Sequence, residues 1–308
     1  MSAVIEARDV IKRWGATTAL NRASLSVGRG VTGLLGANGA GKTTFLGLVL
    51  GMHRADGGSM SVLGMDPWSQ GLEVRALIGY APEHDALPPD VTAHDLVRHL
   101  AQIHGLPRRE ATARASDVLY ELGLGEERFR QIGTMSTGQK QRVKLAQAIA
   151  HDPRLVLLDE PTNGLDPMQR DEMLALVRKV GHQLGIDVVL SSHLLDEVER
   201  VSDSVVILDA GRTVAGGTIG ELETRAEAEL VVEVDTGDVR RLVTALKKAG
   251  IAAIADGDRV IIALENERVY DVVRDALVAA HIGIRRLERR RTSLQDVYLA
   301  AGAAGAES

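Results

Sequence analysis

Gly36-Ala37-Asn38-Gly39-Ala40-Gly41-Lys42-Thr43 stands between the apolar run Val31–Leu35 and the segment Lys42–Leu50, which Gly51 stops. Strand, glycine loop and helix in that order open an α/β nucleotide fold. The glycines let successive backbone N–H groups curl around phosphate oxygens. The helix start adds partial positive charge at the same point. In the G-x-x-x-x-G-K-[ST] pattern, Lys42 reaches the β- and γ-phosphates and Thr43 offers its hydroxyl to Mg²⁺. A plain glycine turn before a helix is the bland alternative, and the flanking strand and helix together argue against it. Gly36, Asn38, Gly39, Ala40, Gly41, Lys42, Thr43 and Thr44 are therefore the expected nucleotide contacts.

Downstream, Arg154-Leu155-Val156-Leu157-Leu158-Asp159-Glu160 supplies a second half-site. A continuous apolar run suits a strand buried on both faces. It delivers two carboxylates to the sheet edge where open α/β sheets bind ligands. Neighbours on a strand point to opposite sides, so Asp159 can address Mg²⁺ while Glu160 faces an attacking water as general base. A solvated acidic strand end is the ordinary reading of such a pair, and the phosphate loop displaces it. Between these segments, Ser136 with Gln139 forms a capping-box pattern at the start of a helix carrying Val143, Leu145, Ala146 and Ile149. Taken alone it is a helix start and nothing more.

In this order the segments strongly resemble the ABC ATPase family over about residues 1–225. Met135-Ser136-Thr137-Gly138-Gln139 is similar to the family signature, with Met135 and Thr137 departing from its commonest form. The resemblance implies that Ser136, Thr137, Gly138 and Gln139 bind the γ-phosphate of ATP held by an opposite subunit. A backbone nest and a helix dipole at that point suit an anion. Trp14 resembles the aromatic that stacks on adenine. In Ile78-Gly79-Tyr80-Ala81-Pro82-Glu83, Glu83 stands where the family carries a Gln near Mg²⁺. Glu can bind Mg²⁺ directly or through water. Gly164-Leu165-Asp166 resembles the loop that couples two subunits, and His193, closing Ser191-Ser192-His193, resembles the family's switch histidine. Elsewhere a single His is usually structural. With both Glu160 and His193 present, the resemblance implies a hydrolysing enzyme.

The family implies further that ATP and Mg²⁺ are bound, and that the chain pairs with a second ATPase subunit in a homodimer or heterodimer. It implies a transmembrane permease partner docked around Glu83 and residues 84–105, on the cytoplasmic face of the cell membrane. Ser293–Leu299 resembles the ending of ATPases from ABC-2-type exporters.

The remaining pattern fills out an α/β domain. Val4–Ala7 and Leu25–Val27 read as short strands. Thr92 with Asp95 is a capping box, and Pro107 opens a helix reaching Leu122; residues 84–151 are mainly helical. After Leu158 come a helix Pro167–Leu184, a strand Asp187–Leu190, a helix Leu194–Val201 and a strand Ser204–Leu208. This alternation implies a mainly parallel sheet. Residues 212–228 read as a junction. A second pattern follows over 226–300: strand 229–234, helix 237–249, strands 251–256 and 259–264, helix 267–280, strand 283–290 and a short helix 293–300. That βαββαβ order is ferredoxin-like. The tail 301–308 is small and polar.

Bulk properties remove other classes. The chain has 308 residues and no cysteine, which excludes disulfides, cysteine-ligated zinc and thiol chemistry. Its net charge of −6 argues against coating nucleic acid by bulk charge. No apolar run is long enough to span a bilayer, so any spanning belongs to another chain. A soluble ABC protein acting on nucleic acid or ribosomes is the rival. The run Arg285, Arg286, Arg289, Arg290 and Arg291 favours it, but the 230–234 and 260–264 strands lack the aromatics of RNA modules.

Overall fold

The computed structural model describes residues 3–84, 87–225, 229–264 and 267–290. The expected helix 293–300, the exporter-like ending Ser293–Leu299, the tail 301–308 and Arg291 lie outside them. The described residues divide into two compact units, one up to Ile219 and one from Gly220.

In the first unit the elements are β1 (Ile5–Trp14), β2 (Thr17–Val27), β3 (Val31–Leu35), α1 (Lys42–Val49), β4 (Gly57–Val62), α2 (Gly71–Ala76), β5 (Ile78–Ala81), α3 (Ala93–Ile103), α4 (Arg108–Glu121), α5 (Thr137–Ile149), β6 (Leu155–Asp159), α6 (Pro167–Arg178), β7 (Asp187–Ser192), α7 (Leu195–Val201), β8 (Ser204–Asp209) and β9 (Arg212–Thr218). The main sheet runs β5-β6-β7-β3-β8-β9, parallel except for β9. A second, antiparallel sheet is ordered β2-β1-β4. β6 is buried at every position, as an apolar run predicts. Its pleat sends Val156 and Leu158 into a core shared with α3, α4 and α5, and Leu155 and Leu157 into one shared with Phe45 and Leu46 of α1. The sheet edge carrying the site is thus clamped from both faces.

Two expectations need correcting. β1 does not stop at Ala7, nor does β2 begin at Leu25. The expectation ended where polar residues begin. Arg8 and Asp9 are exposed, and the strand passes them through register shifts, with Asp9 at φ 48°. The stretch 212–228 is not a bare junction either. β9 occupies its first part, pairing antiparallel with β8, and α8 (Ile219–Arg225) follows. As an edge strand with two glycines, β9 has no continuous apolar run to announce it.

Gly79 shows how tightly β5 and α5 approach. A Cβ there would fall inside the radius of the Ala148 carbonyl oxygen, a backbone atom with no freedom to yield. Gly79→Ala is expected to cost about 3 kcal/mol, the upper end for overpacking. That corresponds to a fall of roughly 6–12 °C in melting temperature for a unit of this size. A fall under about 2 °C would mean that the two elements separate freely.

The second unit contains α8, β10 (Glu229–Val234), α9 (Val239–Lys248), β11 (Ala253–Asp256), β12 (Arg259–Ala263), α10 (Arg268–Ala279) and β13 (Ile284–Arg290). Its antiparallel sheet is ordered β11-β12-β10-β13, the ferredoxin-like arrangement. Leu230, Val232, Val260 and Ile262 pack on Leu242 and Leu246 of α9 and Val273 of α10.

Candidate nucleotide site

β3 ends in the loop Gly36–Gly41, and α1 begins at Lys42. Gly39 and Gly41 have φ of 85° and 103°, a region side chains rarely adopt. A Cβ at Gly36 would lie 2.5 Å from the Leu208 carbonyl oxygen, and one at Gly41 would lie 2.5 Å from that of Ala19. The loop is therefore wedged between β8 and β2, and only glycine fits at its two ends.

Lys42 and Glu160 are 7% and 5% exposed. Lys42 Nζ donates to the Gly36 carbonyl at 2.6 Å and to that of Ala37 at 3.3 Å. It also lies 3.0 Å from Glu160 Oε1. Oε1 has no aligned hydrogen bond, so the contact is an ion pair. The strand ends at Asp159, and Glu160 turns away at φ 47°. That left-handed turn, rather than strand pleat, aims its carboxylate. The turn is held by Glu160 N–H donating to Ser191 Oγ at 2.9 Å, while the Ser191 hydroxyl donates to Asp159 Oδ1 at 2.6 Å. His193 Nδ1 is 2.9 Å from Glu160 Oε2. A carboxylate only accepts, so Nδ1 carries the proton.

Burial pushes the Asp159 carboxyl above its ordinary range. The hydrogen bond from Ser191 and the nearby Thr43 hydroxyl oppose the shift, and the charges of Glu83 and Glu160 add to it. Tyr80 is pushed up to about 12, by burial first and then by Asp159 and Glu83. Such a place favours a cation. Asp159 Oδ2 is buried with no hydrogen-bond partner among the described residues. Among those residues no three His, Cys, Asp or Glu side chains cluster to hold a metal unaided. The unpartnered Oδ2 of Asp159 suits Mg²⁺, which takes one or two carboxylates and completes its shell with phosphates and water.

A cleft of about 410 Å³ opens over the loop, lined by Thr17, Thr18, Asn38, Thr43, Thr44 and Glu83 among others, with Lys42 and Glu160 in its wall. Glu83 Oε1 accepts from Asn163 Nδ2 at 3.1 Å, and the Glu83 carbonyl accepts from Lys144 Nζ at 2.9 Å. Glu83 thereby touches both the loop after Glu160 and helix α5. Nothing in the sequence singles out Asn163, which lies in a polar turn.

Other expected residues stand apart from the cleft. Trp14 is 45% exposed, edge-on to His53 at 4.8 Å, with Lys12 Nζ 4.7 Å from its ring centre. Ser136 and Thr137 are exposed at the start of α5 and line no part of the cleft. The capping box is complete: Gln139 N–H donates to Ser136 Oγ at 3.3 Å, and Ser136 N–H donates to Gln139 Oε1 at 3.1 Å. Asp166 caps α6, accepting from Gln169 N–H at 2.9 Å. The starts of α5 and α6 adjoin. A Cβ on Gly138 would lie 3.2 Å from Gln169, and one on Gly164 would lie 3.6 Å from Thr137.

Residues 20–163 match the family model described as ABC transporter. The chain is 30% identical over 303 residues to the linearmycin resistance ATP-binding protein LnrL of Bacillus subtilis (strain 168), covering 96% of this chain and 97% of that one. It is 34% identical over 296 residues to the daunorubicin resistance ATP-binding protein DrrA3 of Streptomyces coeruleorubidus, covering 94% and 92%. A solved structure described as the ATP binding subunit of an ABC transporter superposes with a TM-score of 0.64 at 30% identity, over 72% of this chain and 92% of that one.

Proposed function

This chain belongs to the ABC transporter ATP-binding family, and from that premise we propose that two such subunits close head to tail on two ATP molecules beneath a transmembrane permease. Hydrolysis of ATP is the activity of the family. The roles of individual residues are our reading of the site.

Lys42 turns from Glu160 and the loop carbonyls to the β- and γ-phosphates, and the loop N–H groups hold the same oxygens. Mg²⁺ would be held by Thr43 and Asp159, with Glu83 close by, and would neutralise charge on those phosphates. Glu160 accepts the proton of the attacking water. His193, oriented by Glu160, contacts the γ-phosphate. Asp166 and the start of α5 complete the partner's site. Closure has differential affinity for ATP over its products, and this drives the cycle. We place the subunit peripherally at the cytoplasmic face of the membrane; none of its described helices is long and apolar enough to cross one. The partner docks around Glu83 and residues 84–105. The names of both relatives, matched nearly end to end, favour export of a toxic compound.

One observation supports the dimer: the helix start at Ser136, which we read as a second phosphate-binding element, lines no part of the cleft built around Lys42. In a Glu160→Gln background, ATP is expected to convert monomer to dimer in light scattering. Adding Ser136→Glu is expected to raise the ATP concentration needed by about tenfold or more, since a carboxylate set against the γ-phosphate is a like-charge juxtaposition costing over about 1.4 kcal/mol. Dimerisation indifferent to Ser136→Glu, or full-rate turnover by a monomer, refutes the arrangement.

A further inference from the structure

Glu197 of α7 lines no part of the cleft, yet it is only 1% exposed. Its Oε2 accepts two hydrogen bonds, from Ser192 Oγ at 2.7 Å and from Thr162 Oγ1 at 2.8 Å. Its Oε1 lies 3.2 Å from Arg170 Nε on α6. Neither of those last two atoms has an aligned hydrogen bond, so this contact is an ion pair only. Ser192 and Thr162 are themselves buried.

These partners come from separate segments, and each adjoins a residue of the site. Ser192 precedes His193, and its Oγ also accepts from Leu194 N–H at 3.0 Å. One hydroxyl thus fixes the backbone on both sides of the histidine. Thr162 lies between Glu160 and Asp166, and Arg170 stands one turn into the helix that Asp166 caps. Burying a carboxylate is costly, and an apolar side chain of similar size packs a core more cheaply. A carboxylate offers what such a residue lacks: an acceptor that binds two hydroxyls from different segments at once.

We propose that Glu197 is a positioning residue that clamps the His193 segment to the loop 161–166, so that the γ-phosphate contact and the subunit contact shift as one body. It rests on the roles given above to His193 and Asp166. Nothing in this clamp touches ATP, so it acts on turnover through His193 rather than on binding.

The test is steady-state ATPase of the full chain with Mg²⁺ and ATP, with melting curves in parallel. Glu197→Ala is expected to lower kcat about 10–100-fold, the scale of a misplaced catalytic group, with KM within about threefold. Combined with His193→Ala, it is expected to lose no further activity than His193→Ala alone, because both changes act through one residue. Glu197→Gln with Arg170→Gln keeps an acceptor oxygen and removes both charges; kcat is expected within about threefold of wild type. Should Glu197→Ala fail to fold, Ser192→Ala and Thr162→Val each remove one clamp bond and are expected to lower kcat about 3–10-fold at unchanged KM. Losses that multiply with His193→Ala, or wild-type kcat in the clamp variants, overturn the proposal. Glu160→Gln separates the causes. If it is inactive while the clamp variants are fully active, the clamp alone is wrong. If it hydrolyses normally, the reading of the site beneath it is wrong.

Discussion

Glu160→Gln is expected to lower ATP turnover by about 10²–10⁴-fold, the usual contribution of a general base, while ATP still binds. The Gln side chain occupies the same volume and keeps an oxygen toward His193 Nδ1, now 2.9 Å from the carboxylate. What it cannot do is take a proton. It also removes the charge that faces Lys42 at 3.0 Å. In the nucleotide-free variant a lysine only 7% exposed then stands without its counter-charge, which destabilises the free protein. ATP phosphates restore that charge. The rise in melting temperature on adding ATP is therefore expected to be larger in Glu160→Gln than in the wild type, since stabilisation follows the ratio of ligand concentration to Kd. A coupled-enzyme assay and a thermal shift series measure both effects. Turnover within tenfold of wild type would remove Glu160 from the role of base.

Lys42→Met is expected to weaken ATP binding by about 10²-fold or more, because truncating one partner of a buried charge pair costs roughly 2–5 kcal/mol. Met keeps most of the stem volume, so the cleft does not collapse. The loss is of charge and of donors: the ammonium now bridging Gly36, Ala37 and Glu160 is gone. Unlike Glu160→Gln, this variant leaves a buried carboxylate without its cation, and ATP brings more negative charge instead of relief. ATP is thus expected to stabilise it hardly at all. Equilibrium binding of a fluorescent ATP analogue decides, and wild-type affinity would show that the loop N–H groups suffice.

The parts of the site legible in the sequence are those fixed by local chemistry. Glycines at left-handed φ and at close approaches mark the loop, and the apolar run of β6 marks the buried strand that ends in Asp159. The capping box at Ser136 formed as its residues specify. Less legible were features that depend on distant partners. β9 is specified by pairing with β8, not by its own small and polar residues. Glu160 is aimed by a hydroxyl thirty-one positions away, at Ser191. Alternation along a strand gives its direction only while the strand lasts, and this one ends a residue earlier. Nothing in the sequence singles out Glu197, because its partners, Thr162, Arg170 and Ser192, meet only in three dimensions. Glu83 joins Asn163 and Lys144 in the same way.

The adjoining starts of α5 and α6 have a genetic consequence under the proposed pairing. Defects at Lys42 act on the nucleotide that the same chain grips, whereas defects at Ser136 act on its neighbour's. Two inactive alleles, one lesioned at each place, can therefore complement when co-expressed, because one of the two composite sites in a mixed pair is assembled from the undamaged halves. Two alleles lesioned at the same place cannot.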